Sequence, residues 1–243
     1  MQPHDHIGWT FAGQAEFAEL ARPFLAEGAL LGERLMYVAE DPDPADVAGL
    51  AGPHVLQVAS IAEVYGPSGI VDATAQRDTF AAALTDALAE GYHGIRVAAD
   101  NTTLVTDDAR LSAWIRWEVV ADRFMSEKQV TGLCAFDRER VDVNRLRHLA
   151  TLHPLSLASH PVPQFRIFAD AGNLRVEGEI DSLTVSQLRL ALDLLPPDTG
   201  VLIDLTAAML RGRTVLDSLR QLRDDGVTVT IQGEPATSIA PTT

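Results

Sequence analysis

Short apolar runs rich in β-branched and aromatic residues alternate along this chain with longer stretches of helical period. The runs are "RLMYVAED" (34–41), "HVLQVAS" (54–60), "GIRVAAD" (94–100) and "TGLCAFDR" (131–138). Strands of this kind separated by helices imply parallel strands joined by crossovers, because each crossover must return the chain to the same end of the sheet. The segment "DTFAAALTDALAEG" (78–91) places Phe80, Leu84, Ala87 and Leu88 on one face and ends at Gly91, which predicts a helix with a glycine stop. Ahead of the first run, Phe17, Leu20, Ala21, Phe24 and Leu25 form another helical stripe, and Pro23 predicts a kink or a restart within it.

The segment "LHPLSLASHPVPQ" (152–164) has three prolines and no charged side chain, and the division of the chain falls here. The pattern predicts a first domain over 1–155, a linker over 156–164 and a second domain over 165–243. In the second, "FRIFADA" and "LRVEGEID" read as a hairpin, followed by a helix (183–194), a strand "VLIDLT" (201–206), a helix (212–224) and a strand "VTVTIQG" (227–233). The ending "EPATSIAPTT" reads as a frayed tail. The fold class is α/β: an N-terminal three-layer domain built on a parallel sheet, and a smaller C-terminal α/β domain.

Charge narrows the partners. The formal net charge is −15 over 243 residues, and acidic residues outnumber basic ones on both sides of the linker, so neither nucleic acid nor an anionic membrane is an expected partner. No membrane-length apolar run or secretion signal is visible, and the cytoplasm is the expected compartment. The single cysteine, Cys134, excludes an internal disulfide and a multi-cysteine zinc site. Lys128 is the only lysine among eighteen arginines, and it stands in "MSEKQV" rather than after a glycine-rich turn, so the phosphate-loop motif is absent and P-loop ATP hydrolysis is excluded.

Several residues are candidates for chemistry. Open parallel sheets bind ligands beyond the carboxyl ends of their strands, where Glu40, Asp41, Asp100 and Asp137 fall; each acid also has the simpler role of capping the next helix. In "RLSAWIRWEVVADRF", the stripe Leu111, Trp114, Ile115, Glu118, Ala121, Asp122, Met125 puts Glu118 on an apolar face beside Trp117, where a carboxylate must be paired or protonated. An ion pair with Arg96 or Arg116 competes with a pocket role. In "PHDHIGW", His4 and His6 are a bare pair that His153 could join, too few for a metal centre; His6 is instead expected to face a pocket. Cys134 reads as a core residue. No metal and no cofactor are expected.

The stretches "DHIGWTFAGQAEFAELARPFLAEGALLGERLMYVAED", "AEGYHGIRVAADNT", "WIRWEVVADRFM" and "LCAFDRERVDVNRLRHLATLHP" together resemble the methanogen and methylotroph sensory (MEDS) domain, in the form found in actinobacterial regulators, over about residues 4–155. The resemblance implies a RecA-like fold without the phosphate loop and a site for a small organic ligand, hydrocarbon derivatives among the class. It implies His6, Trp9, Asp100, Glu118 and Asp137 as ligand-site residues, and Trp117 joins them as a cavity-lining neighbour of Glu118. "LRVEGEIDSLTVSQLRLAL" and "VLIDLTAAMLRGRTVLDSL" resemble the STAS domain of anti-sigma factor antagonists over about 165–233. That resemblance implies docking to an anti-sigma factor or a histidine-kinase-like switch protein through Asp204, Arg211, Gly212, Arg213 and Thr214. Where that family carries its switch serine this chain has Arg213, and Thr214 is left as the only hydroxyl, flanked by arginines that would hold a phosphate by charge pairing. The fold is shortened at its end and would lean on the first domain or on a second subunit, as in a homodimer. A cytoplasmic, non-catalytic regulator is the leading expectation. The alternatives are an enzyme using Glu118, Asp100 and His6 as acid and base, and a scaffold that only binds proteins.

Overall fold

The computed structural model describes residues 5–50, 56–157, 162–170, 173–194, 201–205, 207–211, 215, 217, 229–232 and 236–238. Its first unit is a six-stranded, wholly parallel sheet of β1 (His6–Phe11), β2 (Arg34–Ala39), β3 (Leu56–Ser60), β4 (Ile95–Asp100), β5 (Val130–Asp137) and β6 (Leu155–Leu157), in the order β3-β2-β4-β5-β1-β6. Helix α1 (Gly13–Leu30) covers one face. The other carries α2 (Ile61–Tyr65), α3 (Ala73–Ala89), α4 (Asp108–Glu127) and α5 (Val143–Thr151). With helices on both faces the central strands are buried on both sides, which is why they read as unbroken apolar runs. Along β4, Ile95, Val97 and Ala99 pack toward α3 and α4, while Ala98 joins the core under α1.

Arg96 is the polar exception on the α1 side. It is fully buried, its Nε lies 2.6 Å from Glu33 Oε2, its Nη1 lies 3.0 Å from Glu27 Oε2, and its guanidinium sits over the Phe24 ring. A buried cation is tolerable because two carboxylates offset its charge and, with the Phe24 carbonyl, satisfy Nε and Nη1, while Nη2 has no hydrogen-bond partner among the described residues. Gly28 of α1 makes room for this side chain, since a Cβ there would lie 2.6 Å from Arg96 Cδ and 2.8 Å from Leu35 Cδ2.

The four sequence-predicted strands of this unit form within two residues of their expected bounds, and the predicted helix 78–91 is α3, which starts earlier because Asp72 accepts from the N–H groups of Thr74 and Ala75. Gly91 follows it with φ +90°, a left-handed stop that favours glycine. Three features differ from expectation. Helix α1 does not restart at Pro23, because Phe17, Ala21, Phe24 and Leu25 are held against the sheet on both sides of it. β1, a strand not among those predicted, is an inner strand between β5 and β6. β6 itself comes from the proline-rich segment that predicts a linker, so the sheet extends past the expected first boundary.

The second unit is built on β7 (Phe165–Asp170), β8 (Asn173–Ile180), α6 (Val185–Asp193), β9 (Val201–Asp204), β10 (Ala208–Arg211), β11 (Val229–Gln232) and β12 (Ala236–Ser238). β7 and β8 make the predicted antiparallel hairpin; the remaining pairs are parallel, in the order β11-β9-β8-β10-β12. The expected frayed tail therefore contains a strand, β12, aligned with β10. The predicted helix 212–224 lies outside the described residues, apart from Val215 and Asp217. The core of this unit, Phe165, Ile167, Val176, Leu188, Leu192 and neighbours, includes Ile115 of α4 and Leu152 after α5. The smaller unit thus completes its core on the larger one.

Gly28→Ala tests the packing under α1. Alanine gains about 1 kcal/mol of helix propensity, but displacing Arg96 and Leu35 from a full core costs about 1–3 kcal/mol and strains a buried ion pair. A lower urea midpoint is expected; an unchanged or higher one would contradict this packing.

Candidate functional site

Four donor side chains from distant parts of the chain meet beneath α4. His6 comes from β1. Cys134 lies on β5 two residues beyond Gly132, the register partner of His6, so both project from one face of adjacent strands. Glu118 descends from α4, and His153 follows α5. Their ligating atoms all lie within 4.8 Å of one another, and all four residues are buried. His6 Nε2 is 3.0 Å from Glu118 Oε2 and 3.6 Å from Cys134 Sγ, while His153 Nε2 is 3.5 Å from the same Glu118 oxygen. The two imidazole centroids are 4.4 Å apart. Gly8 permits this approach, because a Cβ at that position would stand 2.7 Å from His153 Cγ.

Each imidazole is oriented through its other nitrogen. His6 Nδ1 is 2.9 Å from Asp122 Oδ1, and His153 Nδ1 is 2.9 Å from the Leu149 carbonyl oxygen. A carbonyl oxygen only accepts, so His153 carries a proton on Nδ1 and, when neutral, turns the lone pair of Nε2 toward Glu118. Neither Glu118 oxygen nor His153 Nε2 completes a well-directed hydrogen bond among the described residues, although distance alone pairs them.

The electrostatics follow from this geometry. Burial alone would strip His6 of its proton, but Asp122, Cys134 and Glu118 outweigh it and hold its pKa well above the ordinary imidazole value. Burial would likewise protonate Glu118, yet His153 and His6 keep its carboxyl below the usual range. Cys134 is pushed up to about 11 by burial and by Glu118, so without another cation it stays a thiol. His153 is depressed by burial, which exceeds the attraction of Glu118.

Asp122 faces two ways. Besides Oδ1 against His6, its Oδ2 accepts a hydrogen bond from the backbone N–H of Ala169 on β7. One carboxylate therefore ties the buried cluster to the second unit. On the cavity side, a space of about 20 Å³ is lined by Tyr65, Phe80, Trp117, Ala121, Met125 and Cys134 among others, and Trp117 stacks on Phe80 with centroids 5.7 Å apart. A second space of similar size is bordered by Gly8, Trp9, Phe136 and His153. The donor cluster thus has one member on each.

Of the sequence candidates, the structure brings together His6 and Glu118 and sets Trp117 on the adjoining cavity. Glu118 does not pair with an arginine: Arg96 is taken by Glu27 and Glu33 on the other face of the sheet, and Arg116 is exposed. Trp9 borders the second cavity but stacks on Phe11 in the core under α1. Asp100 and Asp137 lie at the carboxyl ends of their strands, about 10 Å and about 16 Å beyond the level of His6 at about 3.3 Å per residue. There they serve local turns: Asp100 accepts from the N–H and hydroxyl of Thr102, and Asp137 accepts from the Glu139 N–H. Burial raises the Asp100 pKa. Two members of the site escape a reading of the sequence, Cys134 because it sits in an apolar run and Asp122 because its role depends on β1 and β7. The available signal for Asp122 is its place one turn after Glu118 on the same apolar stripe.

In the second unit, Asp204 ends β9 beside Gln232 and Arg175 in register. Arg211 ends β10, exposed, and grips Glu179 through two bonds of 2.7 Å, so its guanidinium is already paired. Gly212, Arg213 and Thr214, like His4, lie outside the described residues.

A family model described as the MEthanogen/methylotroph, DcmR Sensory (MEDS) domain matches residues 5–154. The chain belongs to this family, and the match spans β1 through α5, including all four donors and Asp122. Searches of curated proteins and of solved structures returned no match.

His148, on α5 close to this site in sequence, supplies a pH test. Its pKa is lowered by burial to about 4, against 6.5 in an unfolded chain, and its Nε2 has no partner among the described residues. Between those values the unfolded chain binds the extra proton, so stability present above pH 6.5 is lost as pH falls toward 4, by up to about 1.4 kcal/mol per unit. Urea unfolding of His148→Leu and the parent near pH 7 and near pH 5 should show the parent losing about 2 kcal/mol more than the variant. Equal losses would contradict a neutral, buried His148.

Proposed function

Taking membership of the sensory family as the premise, we propose that this chain is a non-catalytic regulator in which the first unit binds a small, largely apolar organic molecule and the second unit passes the bound state to a protein partner. The observation that carries this reading is the double burial of α4. Trp117, Glu118, Ala121 and Met125 face the cavity and donor cluster, whereas Ile115 belongs to the core of the second unit and Asp122 holds the Ala169 N–H.

The size of the cavity supplies the coupling. A space of about 20 Å³ holds little more than a water molecule. Anything larger enters by displacing lining side chains, of which Trp117, Ala121, Phe124 and Met125 are on α4. Ligand binding and movement of α4 are then one event, and the ligand's differential affinity for the displaced state sets the size of the response. The cavity wall is apolar, which selects hydrocarbon-like bodies, and Cys134 at its edge offers a polar end to a ligand bearing one hydroxyl, carbonyl or halogen.

For the second unit we extend the proposal to a degenerate STAS-like module acting in the cytoplasm, alone or as a homodimer, on an anti-sigma factor or a histidine-kinase-like switch protein. The hairpin–helix–strand order supports a STAS-like arrangement, with the exposed Arg211–Glu179 pair at the end of β10 as part of its docking surface. The fit with a membrane-independent role is that no helix among the described residues is long and apolar enough to cross a bilayer.

Ligand-observed NMR of the full chain with short-chain alcohols, aldehydes and halocarbons tests the sensory step. Saturable binding is expected for at least one class, weakened at least about tenfold by Ala121→Phe, which fills the cavity; a tenfold loss is about 1.4 kcal/mol. If no class binds, or if Ala121→Phe binds as well as the parent, the sensory assignment to this cavity fails.

A further inference from the structure

We propose that His6 Nε2, His153 Nε2, Glu118 and Cys134 form a buried, four-coordinate site for a divalent transition-metal ion of the zinc class. The proposal goes beyond the sensory reading and does not depend on it.

The donor set suits such an ion. Two imidazoles, one carboxylate and one thiolate are ligands of borderline softness, and tetrahedral sites combine these types. Bonds of about 2.0–2.1 Å to nitrogen and oxygen and about 2.3 Å to sulfur place neighbouring donors about 3.3–3.6 Å apart around a tetrahedral ion. Three of the six separations, 3.0, 3.5 and 3.6 Å, lie close to those edges, and all six lie within 4.8 Å. Calcium and magnesium are disfavoured, since they take six or more oxygen ligands and this cluster supplies one carboxylate.

The surroundings match a metal centre independently of the spacing. Imidazoles that bind metal through one nitrogen are held by a hydrogen bond from the other to a carboxylate or a backbone carbonyl. His6 has this arrangement with Asp122 and His153 has it with Leu149. Both therefore present Nε2 to the centre of the cluster. The lone pair of His153 Nε2 meets a Glu118 oxygen at 3.5 Å, an acceptor facing an acceptor, and both Glu118 oxygens are buried without a hydrogen bond among the described residues. A cation between them converts that repulsion into ligation. With Glu118 and Cys134 ionised, a divalent ion leaves the site neutral, the least costly state for a buried cluster. On loading, the ion takes the place of the Cys134 thiol proton and of any proton on His6 Nε2, and these are released to solvent.

Asp122 acts here as a positioning residue. Because it also holds the Ala169 N–H, metal occupancy fixes the orientation of His6 and, through Asp122, the seating of β7.

Cobalt(II) titration of the chelator-stripped, full-length protein tests the site. About one ion per chain is expected, with the strong visible absorption of tetrahedral cobalt and a near-ultraviolet thiolate-to-cobalt band, both displaced by zinc. That band can come only from Cys134, the single cysteine of the chain, so the parent protein alone decides the point. Cys134→Ser should lose the band and keep weaker uptake, while Asp122→Asn should keep the spectrum and lower affinity about 10–100-fold. Absence of uptake, or a weak octahedral spectrum without the thiolate band, would overturn the proposal. Because small-molecule binding is read by NMR on the same preparation, failure here leaves the sensory test standing, and the reverse.

Discussion

The structure depends on how a carboxylate is kept in the middle of an apolar core. Glu118 is fully buried on the inner face of α4, beside Trp114 and Trp117 and above β5. An isolated carboxylate there would cost several kcal/mol and would take up a proton instead. The protonated ring of His6, brought by an inner strand at the start of the first unit, prevents this, and the neutral ring of His153, on the turn between α5 and β6, closes the other side. Each has to be oriented in turn, His6 by Asp122 and His153 by Leu149. Without a side chain at Gly8, the second ring can approach the first.

From this constraint follows the relation between the two units. Asp122 stands one helical turn beyond Glu118, on the flank of α4 that meets β7, and commits one oxygen to each side. Ile115, about one helical turn before Glu118, completes the apolar core of the second unit. The middle of the helix is therefore buried around much of its circumference, as expected of one enclosed by two cores instead of facing water. A change at the donor cluster cannot leave the second unit unaffected, because both share the same helix and one of its carboxylates.

The scaffold is legible in the sequence where burial is symmetrical. Runs such as "GIRVAAD" and "TGLCAFDR" are strands whichever neighbour they take, because helices cover both of their faces. β1 is harder to read, since "HIGWTF" breaks its apolar run with Gly8 and with His6 and Thr10 on the face that receives His153 and α4. β6 and β12 are three-residue strands whose identity comes from the partners beside them, a long-range property that local pattern does not carry. For the site, Glu118 stands out as a charge on an apolar stripe. The carboxyl-end rule points to Asp100 and Asp137, whereas the donors gather on the sheet face under α4, and their positions, 6, 118, 134 and 153, have no local spacing that would reveal them.

Hydrogen exchange at β7 tests the sharing of α4 most directly. Compared with the parent, Glu118→Gln should speed exchange of the β7 amides, Ala169 foremost, together with those of α4, because loss of the carboxylate loosens His6 and with it Asp122. Faster exchange in α4 with β7 unchanged would contradict this coupling, since the two units would then respond independently.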